Sequence, residues 1–145
     1  MKIEELIHEV AEAIRSLYQI GDTRVFENDM DDVEQGIENV SKTLRCIIVG
    51  WNGCEHVASE RACGDDPDAL YVQANIVVSV YENPNDNRPG GPSLLEMAAA
   101  IAKHVNNLGT EDMDEGLHFV KISPIQQLDR GVITCDVVFR TKNTI

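Results

Sequence analysis

The sequence has 145 residues, about the size of one folding domain, and 43% of them are hydrophobic while only 5% are aromatic. A chain of this length can bury roughly two-thirds of its unfolded surface in one core, so a core of Ile, Val, Leu and Ala is expected and global disorder is disfavoured. The 25 acidic residues against 12 basic ones give a formal charge of −13. This charge repels phosphate and argues against a nucleic-acid reader. It either keeps the protein soluble or forms an acidic face for a basic partner, and composition does not separate these readings.

The first residues, Met1–Glu5, carry carboxylates where a signal peptide needs positive charge. No stretch approaches the roughly 20 apolar residues that cross a bilayer. We therefore expect a cytoplasmic protein with no membrane partner, whose cysteines are reduced thiols: Cys46, Cys54, Cys63 and Cys135.

Residues 2–18 predict an amphipathic first helix that ends before Gly21. Its apolar positions recur at helical spacing: Ile3, Leu6, Ile7, Val10, Ile14 and Leu17. Residues 23–43 predict a short helix more weakly, because Gly36 and the acidic run 28–32 oppose it.

Two strands are predicted in the middle of the chain. Residues 45–51 are β-branched and apolar, which favours a buried strand followed by a loop over 52–68. Residues 70–81 alternate, with Leu70, Val72, Ala74, Ile76, Val78 and Val80 on the core face and the more polar side chains on the other. The prolines and glycines of 82–92 predict a second loop.

Ser93 and Glu96 form a capping box, which marks the start of a helix over 93–108 that stops at Gly109. An acidic loop over 110–116 then leads to strands at 117–122 and 125–128, interrupted at Pro124. A turn at 129–131 precedes a last strand over 132–141, so the chain ends in a hairpin.

This order of elements predicts one α+β domain over residues 1–145. We expect a mixed, mostly antiparallel sheet of about four to five strands, with two to three helices packed on it.

The cysteines and histidines do not predict a catalytic or metal site. The nearest metal-like set is Cys54, His56 and Cys63, but no CxxC pair is present. Cys46 and Cys135 are expected to be small core residues of strands. The histidines are too scattered to tie a base to a thiol: His8, His56, His104 and His118.

Other segments resemble ligand-binding motifs but lack the residues that those motifs need at the required positions. The segment 28–36 resembles a calcium loop that starts at Asp29. Such a loop needs an oxygen ligand at position five and a glycine at position six, but position five is Val33 and the glycine, Gly36, falls at position eight. The cluster Asp65, Asp66 and Asp68 is typical of a solvated turn. Gly90-Gly91 lacks a phosphate-binding pattern and is interpreted as a hinge. No catalytic, cofactor-binding or metal residue is assigned, no cofactor is expected, and the chain is predicted not to be an enzyme.

The second half of the chain carries a resemblance. Residues 77–83, 94–97, 119–122 and 131–141 resemble small phage tail proteins of the tail terminator and Mu-like prophage minor tail families. The resemblance covers residues 45–141 as an order of elements. It implies a tail-terminator-like mixed sheet flanked by helices, and a homo-oligomeric ring, often of six subunits, that caps the tail tube and contacts the head-completion proteins. The implied locations are the host cytoplasm during assembly and then the virion tail.

Two other readings stay open. Small acidic proteins also include immunity-type and antitoxin-type inhibitors, which bind a basic protein partner and need no active site. A small thiol- or metal-dependent enzyme would require at least two of Cys54, His56 and Cys63 on one ion.

Overall fold

The computed structural model describes residues 1–27, 45–57, 70–84 and 91–145. These residues form α1 (Ile3–Arg15), β1 (Arg24–Glu27), β2 (Arg45–His56), β3 (Tyr71–Glu82), α2 (Leu94–Val105), β4 (His118–Ile122), β5 (Gln126–Gln127) and β6 (Ile133–Thr144). Short 3-10 turns lie at Tyr18–Ile20 and Asp129–Gly131. No helix in this part of the chain is both long enough and apolar enough to span a membrane.

The strands build one mixed sheet in the order β1-β2-β3-β6-β4, with β5 also paired to β6. Of the strand pairs in the described residues, β1–β2 is parallel and the others are antiparallel. The chain leaves β3, crosses through α2 and returns as β4, and β6 then lies between β3 and β4. The predicted α+β class is confirmed, with six strands instead of four to five.

Both helices pack on the same face of the sheet. Their apolar stripes join the alternate residues of β2, β3 and β6 in the main core, which includes Leu6, Val10, Met97, Ile101, Val78 and Val137. The predicted alternation of β3 is confirmed, except that Leu70 lies just before the strand and is half exposed. A smaller cluster lies on the other face of the sheet: Cys46, Ile48, Tyr81 and Val132, with Phe26 and Leu128 against them.

The capping box of α2 is present as predicted. Ser93 Oγ accepts the backbone N–H of Glu96 at 3.1 Å, and the Glu96 carboxylate accepts that of Ser93 at 3.2 Å. These bonds satisfy two N–H groups that a helix start leaves without intrahelical partners.

Several boundaries differ from the predictions. The helix predicted over 23–43 is wrong at its start, because Arg24–Glu27 is strand β1, and residues 28–43 lie outside the described residues. β2 continues five residues past Trp51 through a bulge, at which Gly53 adopts a φ of 78°. Hence the loop predicted to begin at residue 52 is strand until His56. α2 ends at Val105 and does not reach Gly109, because Asn106 leaves the helical conformation with a ψ of 131° and Asn107 takes a positive φ of 70°.

The interruption predicted at Pro124 is present between β4 and β5, while the bulge lies earlier, between Phe119 and Lys121. The final hairpin is confirmed, since β4 and β5 both pair antiparallel with β6.

Candidate assembly surfaces

Within the described residues, no group of three or more His, Cys, Asp or Glu side chains is arranged to hold a metal ion. Cys54 and His56 are both exposed on β2, whereas Cys63, the 28–36 run and the cluster at 65–68 lie outside the described residues. Gly91 is exposed beside α2, and its neighbour Gly90 is also outside them.

The four histidines lie apart, as predicted, and three have polar neighbours. His8 Nδ1 is 2.6 Å from Glu27 Oε1, and His104 Nε2 is 3.3 Å from Ser16 Oγ. His118 Nε2 is 3.8 Å from Glu115 Oε1. All four imidazoles belong to exposed residues, and no cysteine thiol is among these contacts.

Cys46 and Cys135 are buried on β2 and β6, in agreement with the core role predicted for them. Burial raises the pKa of the Cys46 thiol to about 12. Burial, with a smaller contribution from the Asp136 carboxylate, raises the pKa of Cys135 to about 11. Both thiols therefore stay protonated near neutral pH, which is the opposite of what a nucleophile needs.

A cluster of cations lies on the face of the sheet that the helices leave uncovered. We call it the basic face and define it as Lys121, Arg140 and Lys142, all exposed. Arg140 pairs with Asn75 of β3 on one side and with His118 of β4 on the other. Lys142 follows two residues along β6, about 7 Å away, and Lys121 is paired to Val138, two residues before Arg140.

Within the part of the chain that the structure describes, the cations of the basic face have no carboxylate partner. Side-chain ion pairs there involve other basic residues: Lys2, His8, Arg15, Arg45 and His118. The contact of Arg140 is a 3.2 Å hydrogen bond from its Nε to Asn75 Oδ1.

The carboxylates on this side are engaged elsewhere. Asp136 Oδ1 accepts from Ser79 Oγ at 2.7 Å, and Glu115 Oε1 accepts from the Lys142 backbone N–H at 2.9 Å. Neither neutralises a lysine or arginine head group.

An open groove of opposite charge lies in the helix layer. We call it the acidic groove; it lies between the first turns of α1 and residues 109–112, and its carboxylates are Glu4, Glu5, Glu9, Glu111 and Asp112. Lys2 and His8 also line it.

One carboxylate of the groove is held in its charged form. The Thr110 hydroxyl donates a hydrogen bond to Asp112, which lowers the pKa of that carboxyl. Asp112 therefore keeps its negative charge to a lower pH than an ordinary aspartate does.

The β4 end of the sheet exposes apolar side chains. Phe119, Val120 and Ile125 are 41%, 40% and 44% exposed, and we call them the apolar edge. The Phe119 ring packs edge-to-face on Phe139, with centroids 6.2 Å apart.

Backbone pairing with another strand is hindered at this edge. The bulge at Val120 breaks the regular spacing, and the outward N–H of Phe119 is already donated to Asn106 Oδ1 at 3.0 Å. Bulges and capped backbone groups are the usual devices that stop edge-to-edge pairing, so contacts here are expected to run through side chains.

The sequence did not lead us to predict the basic face, because only the net charge of the chain was considered. The alternation on β6 that put Cys135, Val137 and Phe139 inward also puts Arg140 outward, and that signal was present in the sequence. Lys121 could not be added without the β4–β6 register.

No family model matches this chain, and no curated protein matches it. Among solved structures, the fold is similar to that of a chain in the virion of the native gene transfer agent (GTA) particle, with a TM-score of 0.54 and 15% sequence identity. The similarity covers 97% of this chain and 95% of that chain. At this identity the likeness shows a shared fold, and it extends over nearly the full length of both chains.

Proposed function

We propose that this chain is a structural protein of a phage or prophage particle, and that it is a tail terminator or completion subunit forming a ring at the end of the tail tube. The observation that carries the proposal is the fold shared with a GTA virion chain over nearly the whole of both chains. Such a role needs surfaces and no active site, and the described residues offer the basic face, the acidic groove and the apolar edge.

In this proposal residues 1–145 act as one tail-terminator-like domain. Its partners are further copies of itself, six in the families that the sequence resembles, together with the tail tube and the head-completion proteins. It is assembled in the host cytoplasm and resides in the virion tail. A net charge of −13 also suits a ring through which DNA passes, because like charges repel.

The test is solution mass by light scattering over a series of protein and salt concentrations, followed by negative-stain imaging. A closed annular oligomer is the expected result. A second arm adds purified tail tubes of the phage or prophage that encodes the chain, and co-sedimentation with them is expected. A protein that stays monomeric throughout and does not sediment with the tubes overturns the proposal.

The acidic groove supports a second candidate, an immunity-type or antitoxin-type inhibitor of a basic protein. Lys2 and His8 line it beside its five exposed carboxylates, and the Met1 ammonium lies 3.3 Å from Asp112 Oδ2, so the groove keeps an excess of negative charge. An inhibitor forms a one-to-one complex with a single basic toxin, and that complex weakens as salt rises. A monomer in solution that protects cells from one such toxin, and does not bind tail tubes, would establish this candidate in place of the ring.

A further inference from the structure

Three exposed cations lie together on one face of this acidic chain, without a carboxylate partner among the described residues. Acidic residues outnumber basic ones by about two to one, 25 to 12, so exposed lysines and arginines have many possible carboxylate partners. Among the described residues, Lys2, Arg15 and Arg45 each have one, and Arg24, Lys103 and Arg130 do not. The cations of the basic face also lack one, and they differ from the others in being grouped on the paired strands β4 and β6.

The acidic groove has the complementary charge, but the same molecule cannot use it. α1, which forms one wall of the groove, packs on the helix-covered face of the sheet, and Lys121, Arg140 and Lys142 project from the other face. The sheet therefore separates the two surfaces within one subunit. A second copy can bring them together.

We propose that the basic face of one subunit docks on the acidic groove of the next, so that copies of this chain associate head to tail through charge. This inference names the contact that the proposed ring would use, and to that extent it rests on the proposed function.

The position of the surfaces determines the symmetry. Because they lie on opposite sides of the sheet, one neighbour cannot occupy both at once, and the contact uses two different patches. Contacts of this heterologous kind build rings when the rotation closes and open filaments when it does not.

The first variant reverses the basic face by Arg140→Glu and Lys142→Glu. Placing like charges opposite each other penalises an interface strongly, so we expect self-association to weaken by about ten-fold or more in analytical ultracentrifugation at low salt. The matched control is Arg24→Glu with Lys103→Glu, which makes the same change in net charge at exposed cations away from the basic face. The control should associate like the wild type, and circular dichroism should report an unchanged fold for both.

The second variant reverses the acidic groove by Glu9→Lys and Glu111→Lys, one residue from each wall. It should lose association to a similar extent. A chain that carries all four substitutions has the charges exchanged and should regain association. An equimolar mixture of the two reversed chains should regain association in alternating order, because the face of each chain attracts the groove of the other while each chain repels its own kind.

The outcomes separate this inference from the proposed function. If the wild type forms a closed ring and the reversals leave it intact, the docking inference is wrong while the ring stands. If charge exchange restores association but only open chains or small oligomers form, the contact is supported and the ring is wrong. A wild type that stays monomeric at low salt overturns the docking inference directly.

Discussion

Asn143 Nδ2 donates a hydrogen bond to Thr141 Oγ1 at 2.6 Å, and both side chains are completely buried. Thr141 Oγ1 in turn lies 3.0 Å from the carbonyl oxygen of Glu115, to which it can donate. Asn143 Oδ1 accepts the backbone N–H of Asp114 at 2.5 Å, and its Nδ2 reaches the Glu115 carbonyl at 3.1 Å. Two buried polar side chains of β6 thus hold the end of the acidic loop, which also supplies Glu111 and Asp112 to the acidic groove.

Asn143→Ala is expected to lower the free energy of unfolding by about 2 to 4 kcal/mol, because it removes a fully buried side chain that accepts the part-buried backbone N–H groups of residues 114 and 115. Urea denaturation in high salt, where association is weak, is the measurement. Gln126→Ala, at an exposed position of β5, is the control and should change stability by less than about 0.5 kcal/mol. Equal effects of the two substitutions would show that Asn143 does not stabilise the loop.

Arg45→Ala is expected to lower the free energy of unfolding by about 2 to 4 kcal/mol, because removing one partner of a largely buried ion pair leaves the Glu82 carboxylate without this compensation. Arg45 Nη2 donates to Glu82 Oε1 and to the Pro92 carbonyl oxygen, the latter at 2.8 Å. The side chains of Arg45 and Glu82 are 14% and 10% exposed. Urea denaturation, under the conditions used for Asn143→Ala, is again the measurement.

The matched experiment on this pair is a double-mutant cycle with Arg45→Met and Glu82→Leu. Each single change should be more destabilising than the double change, since two apolar side chains leave no isolated charge. Additive effects would mean that the pair contributes no coupling between β2, β3 and the start of α2.

Gly116→Ala is expected to destabilise the fold by about 1 to 3 kcal/mol. A Cβ at residue 116 would lie 2.6 Å from the backbone carbonyl oxygen of Asn107, which cannot move aside without disturbing the end of α2. Gly109→Ala is the control, because its nearest contact is 3.4 Å away. Thermal melts of the two variants should therefore differ, and a melting temperature of Gly116→Ala equal to that of Gly109→Ala would contradict the close approach.

The buried thiols make stability fall at high pH. A thiol in the unfolded chain ionises near the ordinary cysteine pKa of 9.0, while burial holds the pKa of folded Cys46 at about 12. The contribution of the protonated Cys46 thiol to the free energy of unfolding is therefore fully present below pH 9. It is lost as the pH rises from 9 towards 12, at about 1.4 kcal/mol per pH unit. The unfolding free energy of Cys46→Ala should decline less steeply than that of wild type over this range, and parallel curves would refute the assignment.

The elements that follow from strong local signals were predictable. Ser93 and Glu96 identify the start of α2 because both halves of the capping box lie within one turn. The alternation of Cys135, Val137 and Phe139 identifies the inward face of β6, because a strand buried against helices must alternate. The order of elements also predicted the mixed, mostly antiparallel sheet.

The failures come from residues whose conformation is decided by their neighbours. Arg24–Glu27 has four residues and no clear alternation, and it is a strand because it pairs in parallel with β2. Gly53 favours a loop in isolation, yet it accommodates a bulge and β2 continues beyond it. α2 ends at Val105, before Gly109, because Asn106 leaves the helical conformation and Asn107 adopts a positive φ, which asparagine also tolerates.

The candidate surfaces were the least predictable feature. The sequence was interpreted through its net charge of −13, and a net value does not reveal a local cluster of basic residues such as the basic face. The basic face exists only once β4 and β6 are paired in their register, which no local pattern specifies.

The place of β6 between β3 and β4 has a consequence for the order of events during synthesis. The ribosome makes β6 after the other strands of this sheet, yet β6 supplies the pairing partner of β3 on one side and of β4 and β5 on the other. Until its residues emerge, β3 is paired only with β2, and β4 has no sheet to join. The nascent sheet therefore stays incomplete until β6 has emerged from the ribosome, and the basic face, which needs Arg140 and Lys142, forms only after that point. Association through that face would thereby be restricted to chains in which β6 has been made.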